Sequence, residues 1–195
     1  MSSLLLVLGT PGVGKSELAR ELGRKLGLDV IDLGLLVREK KLYKRFDRRT
    51  KAYEIDERRV KDYLQSNIGK RGVVIATHSV GSAIPPNMVR LAIVLRLDPV
   101  TLYRRLRARR WTRQKAWENV ESEIVDVCLE EAVRLLGKKK VVEIDTTNLT
   151  PSKVLSRALV AVNVKRKFTR SRVDWLSIYD PLGLEKRLRW KNSTS

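Results

Sequence analysis

The sequence predicts a doubly wound α/β fold, a mostly parallel sheet of five strands with helices on both faces. Three observations carry this. Short, wholly apolar runs alternate with stretches of helical spacing, glycines follow the first run at once, and 195 residues with 43% hydrophobic content suit one core. Leu4 to Leu8 reads as a buried strand. Leu18, Ala19, Leu22 and Leu26 then fall at helical spacing and predict a helix over 16–26. Val30 and Ile31 predict a second strand, Leu33 to Leu42 a helix, and the basic, aromatic stretch Tyr43 to Tyr53 a loop. Asp56 is positioned to cap a helix that carries Val60 and Leu64 and stops near Gly69.

Val73 to Ala76 predicts a third strand and Leu91 to Leu97 a fourth, with Pro85 and Pro86 breaking the chain between them. Pro99 suits the first turn of the next helix, which runs into an arginine cluster. Ala116, Val120, Ile124, Val127, Leu129, Val133 and Leu136 predict one long helix over 114–136, closed by Gly137. Val141 to Ile144 supplies the fifth strand and Pro151 to Val162 the final helix. Beyond Val164 the texture changes to a basic tail over 165–195 containing Trp175 and Trp190, so the chain divides into a nucleotide-binding domain over 1–164 and that tail.

Forty-one lysines and arginines against 22 acidic residues give a net charge of +19, more than solubility requires, and imply attraction to polyanions such as nucleic acid. A surface of mixed-sign ion pairs is the bland alternative. The single cysteine, Cys128, excludes an internal disulfide and agrees with a reducing, cytoplasmic setting; it sits in an apolar helical stripe and reads as core rather than nucleophile. The run Leu4 to Leu8 is far short of the roughly 20 residues of a membrane span, so no membrane partner is expected.

The chemistry is concentrated in Gly9-Thr10-Pro11-Gly12-Val13-Gly14-Lys15-Ser16, which satisfies GxxxxGK[ST] between a buried strand and an amphipathic helix. Glycines let successive backbone N–H groups turn toward one centre, and the helix directs its positive end at the same point. The expected ligand is the triphosphate of ATP, with Lys15 reaching the β- and γ-phosphates and the Ser16 hydroxyl ligating Mg²⁺.

The chain resembles the nuclear-type adenylate kinases, the coilin-interacting nuclear ATPase family associated with small-ribosomal-subunit maturation. Five stretches carry the resemblance: Gly9 to Ser16; Arg38-Glu39 with Leu42-Tyr43; Ile55-Asp56-Glu57 with Arg59-Val60; Val94-Leu95-Arg96 through Leu102-Tyr103, Arg105-Leu106 and Arg109; and Asn119 with Glu123-Ile124 and Glu130-Glu131-Ala132. The resemblance implies a P-loop fold with a short lid, adenylate kinase activity (ATP and AMP to two ADP) with slow ATP hydrolysis, and a small-subunit ribosomal protein or ribosomal RNA as partner. It places Arg38 on the acceptor phosphate and Arg105 and Arg109, four residues apart on one helical face, on the transferring phosphates. It gives His78 a part in positioning water or phosphate, and brings Thr146, Thr147 and Asn148 to the adenine.

The departures from the family are specific. Ala76-Thr77-His78 lacks the carboxylate expected two residues before the histidine, leaving Asp32 as a substitute; Gly34-Leu35 replaces Gly-Asp, and Arg110 replaces a lid glycine. Two alternatives stand beside the kinase: a nucleotide-switched assembly factor with little turnover, and another small-molecule kinase of the same fold. Trp111, Trp117, Trp175 and Trp190, interleaved with basic residues, suit base stacking or packing, and the tail reads either as a ribosomal contact or as a docked arm.

Overall fold

The central strand, β1 (Leu4–Leu8), is buried along its whole length because both faces of the sheet are covered. The computed structural model describes residues 4–47, 52–68, 72–81, 83–163 and 173–190. β1 pairs in parallel with β5 (Val73–Ala76) on one side and β6 (Val89–Arg96) on the other; β2 (Asp29–Asp32) lies outside β5, and β7 (Val141–Asp145) outside β6. The predicted five-stranded parallel sheet is therefore present.

Alternation inside the apolar run decides which helix each side chain meets. Leu5 and Val7 join the cluster built by α1 (Lys15–Leu26), α4 (Pro99–Ala108), α5 (Arg113–Ile124) and α7 (Pro151–Asn163). Leu4, Leu6 and Leu8 join the opposite cluster, covered by α2 (Leu33–Glu39), α3 (Glu57–Asn67) and α6 (Val127–Leu136). Short polar residues fix the helix starts: Asp32 accepts from the Leu35 amide, Asp56 from Arg59, Asp98 from Thr101 and Thr112 from Lys115.

Two expectations fail. The predicted helix over 114–136 is two helices, because α5 and α6 pack on opposite faces of the sheet and the chain must turn between them. Asp126 makes the turn at φ 60°, a left-handed conformation that an unbroken helix does not contain. Tyr43 to Tyr53 is not simply loop, since β3 (Tyr43–Asp47) and β4 (Ala52–Ile55) form an antiparallel pair; residues 48–51 lie outside the described residues. Smaller differences are a first helix after β2 that ends at Glu39 and a fourth strand that begins at Val89.

Part of the tail is structured against the domain. α8 (Trp175–Ile178) and α9 (Pro181–Trp190) place Trp175 and Leu184 in the first cluster, and the Tyr179 hydroxyl donates to Asp98 at the start of α4. Burial, the bond to Asp98 and its charge push the Tyr179 phenol up to about 12. Among the described residues no helix is long and apolar enough to cross a membrane.

Gly9 leaves β1 at φ 138°, and a Cβ there would stand 2.5 Å from the carbonyl oxygen of Leu95 on the neighbouring strand. Relief requires moving backbone. Gly9→Ala is expected to cost about 3 kcal/mol and to lower Tm by roughly 6–12 °C. A thermal melt within about 1 °C of the parent would show that the path does not depend on glycine there.

Candidate active site

The phosphate-binding segment lies where the sequence places it, from the carboxyl end of β1 to the first turn of α1. Gly14 stands before α1 at φ 110°, and a Cβ there would meet nothing within 4 Å, so its requirement is conformational rather than steric. The Lys15 ammonium donates to the Thr10 carbonyl at 3.1 Å, and the loop folds around its own lysine. Burial lowers the Lys15 pKa from 10.5 to about 8. Cys128, Asp32 and Glu123 act against that shift and Arg109, at the end of α4, adds to it, which places Arg109 within electrostatic reach of Lys15.

The Ser16 hydroxyl donates to an Asp32 oxygen at 2.8 Å, while the other Asp32 oxygen accepts from the Leu35 amide at 3.2 Å. Asp32 is paired in register with Ala76, the position where a carboxylate was expected and missing. The acid therefore occupies the same row of the sheet, one strand further out. A serine hydroxyl and a carboxylate at the mouth of a phosphate loop are hard oxygen donors that fit a small divalent cation. No group of three His, Cys, Asp or Glu side chains able to cage a metal occurs among the described residues.

Beside the loop, a cleft is lined by Val13, Gly14, Leu18, Arg105, Thr146 and Leu149, among others. Arg105 lines this cleft, whereas Arg109 is not in its lining and interacts electrostatically with Lys15. Thr146 lines the cleft and donates its hydroxyl to the Arg96 carbonyl at 2.7 Å; the Thr147 hydroxyl accepts from the Asp98 amide at 2.9 Å. Asn148 is exposed at φ 58° and does not line the cleft, a geometry that suits a turn. Arg38 is exposed on the last turn of α2 and is not part of the cleft lining.

His78 follows β5 on a loop held from above. Glu131 of α6 accepts from the Ser79 hydroxyl at 2.9 Å and from the Val80 amide at 3.0 Å. The imidazole pKa is lowered, by burial first and by Lys15 second, with Glu131 opposing. The Cys128 thiol lies 3.1 Å from the His78 carbonyl oxygen, and burial pushes its pKa up to about 11, as befits an inert packing residue.

Beneath the loop lies an arrangement that the sequence did not reveal. Thr10 donates to Glu123 at 2.6 Å; the second Glu123 oxygen accepts from Arg96 at 2.7 Å and from the Leu97 amide at 3.1 Å. Arg96, only 2% exposed, also pairs with Glu143 at 3.0 Å and with Asp126. Burial raises the Glu123 pKa against the pull of Arg96 and Thr10, while Arg96 itself is raised by its three carboxylates despite burial. The available signal was an arginine closing the apolar run Leu91–Leu95 of β6 and a glutamate inside the apolar stripe of α5.

Comparison with known proteins agrees with this geometry. A family model described as an AAA domain matches residues 5–126. The chain is 37% identical over 145 residues to "Adenylate kinase isoenzyme 6 homolog" of Schizosaccharomyces pombe, covering 74% of this chain and 82% of that protein. It is 34% identical over 182 residues to "Putative adenylate kinase" of Methanocaldococcus jannaschii, covering 93% and 98%. The fold is similar to that of a shikimate kinase from Bacteroides thetaiotaomicron, with a TM-score of 0.54, 16% identity, and coverage of 83% of this chain and 99% of that one. The loop, the parallel sheet and these relatives together place the chain in the AAA-domain family of P-loop kinases.

Proposed function

We propose that the chain transfers the γ-phosphate of ATP to AMP, and hydrolyses ATP when water takes the acceptor's place. The observation that carries this reading is the Ser16–Asp32 pair at 2.8 Å beside a lysine whose charge the protein has partly desolvated. The reading is also supported by the relatives' names, which call them adenylate kinases.

Each residue then has a distinct task. Amides of residues 9–16 and the amino end of α1 hold the phosphates, and Lys15 leaves the Thr10 carbonyl to reach the β- and γ-oxygens. Ser16 would hold Mg²⁺ directly and Asp32 through water; the bound ion would neutralise charge shared by the β- and γ-phosphates. Arg109 stabilises the transferring group and Arg105 borders the nucleotide, while Arg38 clamps the acceptor phosphate. His78, whose pKa burial and the Lys15 charge lower, orients the attacking oxygen. Asn148 is left with a backbone role at the rim.

The test is ADP formation by purified chain with and without AMP in a coupled assay. AMP-stimulated turnover is expected; equal rates would remove the kinase and leave an ATPase or a switch. Asp32→Asn keeps the cap on α2 but withdraws the charge, and is expected to lower kcat about 10–100-fold and raise the Mg²⁺ concentration for half-maximal rate. Unchanged magnesium dependence would reassign Asp32 to helix capping alone.

A second reading adds to the first. The net charge of +19 and the resemblance to the ribosome-maturation family support RNA, or a small-subunit ribosomal protein, as a cytoplasmic partner whose handling is coupled to the nucleotide.

A further inference from the structure

The segment that carries His78 is tied down at every residue. The Thr77 amide donates to the Val7 carbonyl at 3.0 Å, and the Thr77 hydroxyl donates to the Ser79 carbonyl at 2.9 Å. The Cys128 thiol donates to the His78 carbonyl at 3.1 Å. Glu131, about one turn further along α6, takes the rest. One of its carboxylate oxygens accepts from the Ser79 hydroxyl at 2.9 Å and from the Gly81 amide at 3.4 Å, the other from the Val80 amide at 3.0 Å. Gly81 lies at φ 52°, and a left-handed residue after an ordinary one is what lets successive amides converge on one anion.

Seating this loop in the core does not need a charge. Val80 is 1% exposed and packs in the second cluster, which already fixes the depth of the loop. A carboxylate that takes bonds from three consecutive residues adds direction, because bonds to an ionised acceptor are shorter and stronger than neutral ones. His78 stands immediately before those three residues, keeps exposed surface, and its imidazole takes part in none of these bonds. Burial lowers the imidazole pKa first and Lys15 of α1 second, while Glu131 raises it. Cys128, pushed up to about 11, stays neutral over the range in which a histidine titrates, and Glu57 of α3 approaches the far end of the loop, where a Cβ on Gly81 would stand 3.3 Å from its carboxylate. The helix that supplies Glu131 is also fixed to the floor of the phosphate loop, since Asp126 before its first turn pairs with Arg96, which holds the glutamate that receives Thr10.

We propose that Glu131 is a positioning residue for His78: by gripping residues 79–81 from α6 it fixes the histidine at the end of β5, where the attacking oxygen is oriented. The carboxylate acts in two ways, through the three bonds that set where the histidine stands and through a charge that opposes that of Lys15 at the imidazole. This inference rests on the role given to His78 above, and it names the group that holds the histidine in that role.

His78 is the single histidine of the chain, so its imidazole proton resonances can be followed by NMR through a pH titration of the full chain, prepared without a histidine tag. Glu131→Gln keeps an acceptor oxygen for the loop and removes the charge. The expected result is a titration midpoint moved to lower pH, because a negative charge that favoured the imidazolium is gone, with kcat lower by roughly tenfold and KM for ATP unchanged. Parental kcat would overturn the proposal. So would a loss of kcat matched by a loss of ATP affinity at an unmoved midpoint, which is what a merely structural role produces. Ser79→Ala leaves the charge and removes one bond, and should lower kcat less while keeping the midpoint; if Glu131→Gln does not fold, parental kcat in Ser79→Ala is the overturning result. His78→Ala separates this inference from the one beneath it. Turnover of that variant at the parental rate would remove the role of His78 and the positioning role together, whereas slow turnover there beside parental turnover in Glu131→Gln would remove the positioning role alone.

Discussion

Replacing Lys15 with methionine is expected to abolish ADP formation, with kcat/KM falling at least about a thousandfold, while the ligand-free protein becomes more stable. The first half follows from the position of the ammonium, which is the cation the loop itself supplies to the β- and γ-phosphates. The second follows from its environment. Burial lowers the Lys15 pKa from 10.5 to about 8, so the native state holds this charge less favourably than the unfolded chain does. The cost, on the order of 1–3 kcal/mol, is present in full below pH 8, declines as the native ammonium deprotonates above it, and is gone above about pH 10.5. Methionine keeps the aliphatic stem and removes the charge. Thermal melts from pH 7 to pH 10 should therefore converge for parent and variant as pH rises. A variant less stable than the parent at pH 7 would refute this account of the lysine.

The same shift predicts proton uptake. A triphosphate restores the ordinary pKa of Lys15, so ATP binding near pH 8 should take up about half a proton per site, and binding near pH 6.5 almost none from this group. Titration calorimetry in two buffers of different ionisation enthalpy measures the difference directly. Identical heats at pH 8 would show that Lys15 does not titrate in the ligand-free protein.

The second large effect is expected at Arg96. Arg96→Leu leaves Glu123, Asp126 and Glu143 close together without their shared cation, and should cost about 3–5 kcal/mol, a fall in Tm of roughly 10 °C. Stability should return in part when Glu123→Gln and Glu143→Gln are added, since the damage comes from uncompensated buried charge rather than from lost packing. The combined variant should still bind ATP less well than the parent, because the Thr10 hydroxyl then donates to a neutral amide oxygen instead of the Glu123 carboxylate, which weakens the floor of the phosphate loop. Additive losses across the three changes, measured by chemical denaturation, would rule out a coupled group.

Much of this site was legible in the sequence because its signals are local. Eight consecutive residues specify the phosphate loop, and the apolar runs on either side specify its placement. The carboxylate was half legible: Asp32 was recognisable as a substitute, but only strand register shows that it stands beside Ala76. The hairpin was hidden by its own bulge, since Lys44 interrupts the alternation that would have marked β3. The break between α5 and α6 was hidden for the opposite reason. Apolar spacing runs smoothly across Val125 and Asp126, and only the need to cover both faces of the sheet, together with the pairing of Asp126 to Arg96, divides it. Asn148 is exposed at φ 58°, a conformation that its position in the sequence did not disclose.

The alignment of Asp32 with Ala76 has a consequence for recognising enzymes of this kind. In a parallel ladder, neighbouring strands are separated by less than about 5 Å, so the role proposed for Asp32 needs only a sideways step and no change in the path of the main chain. A census that inspects one strand alone would file such a chain among inactive relatives, and the error would lie in the address searched rather than in the protein.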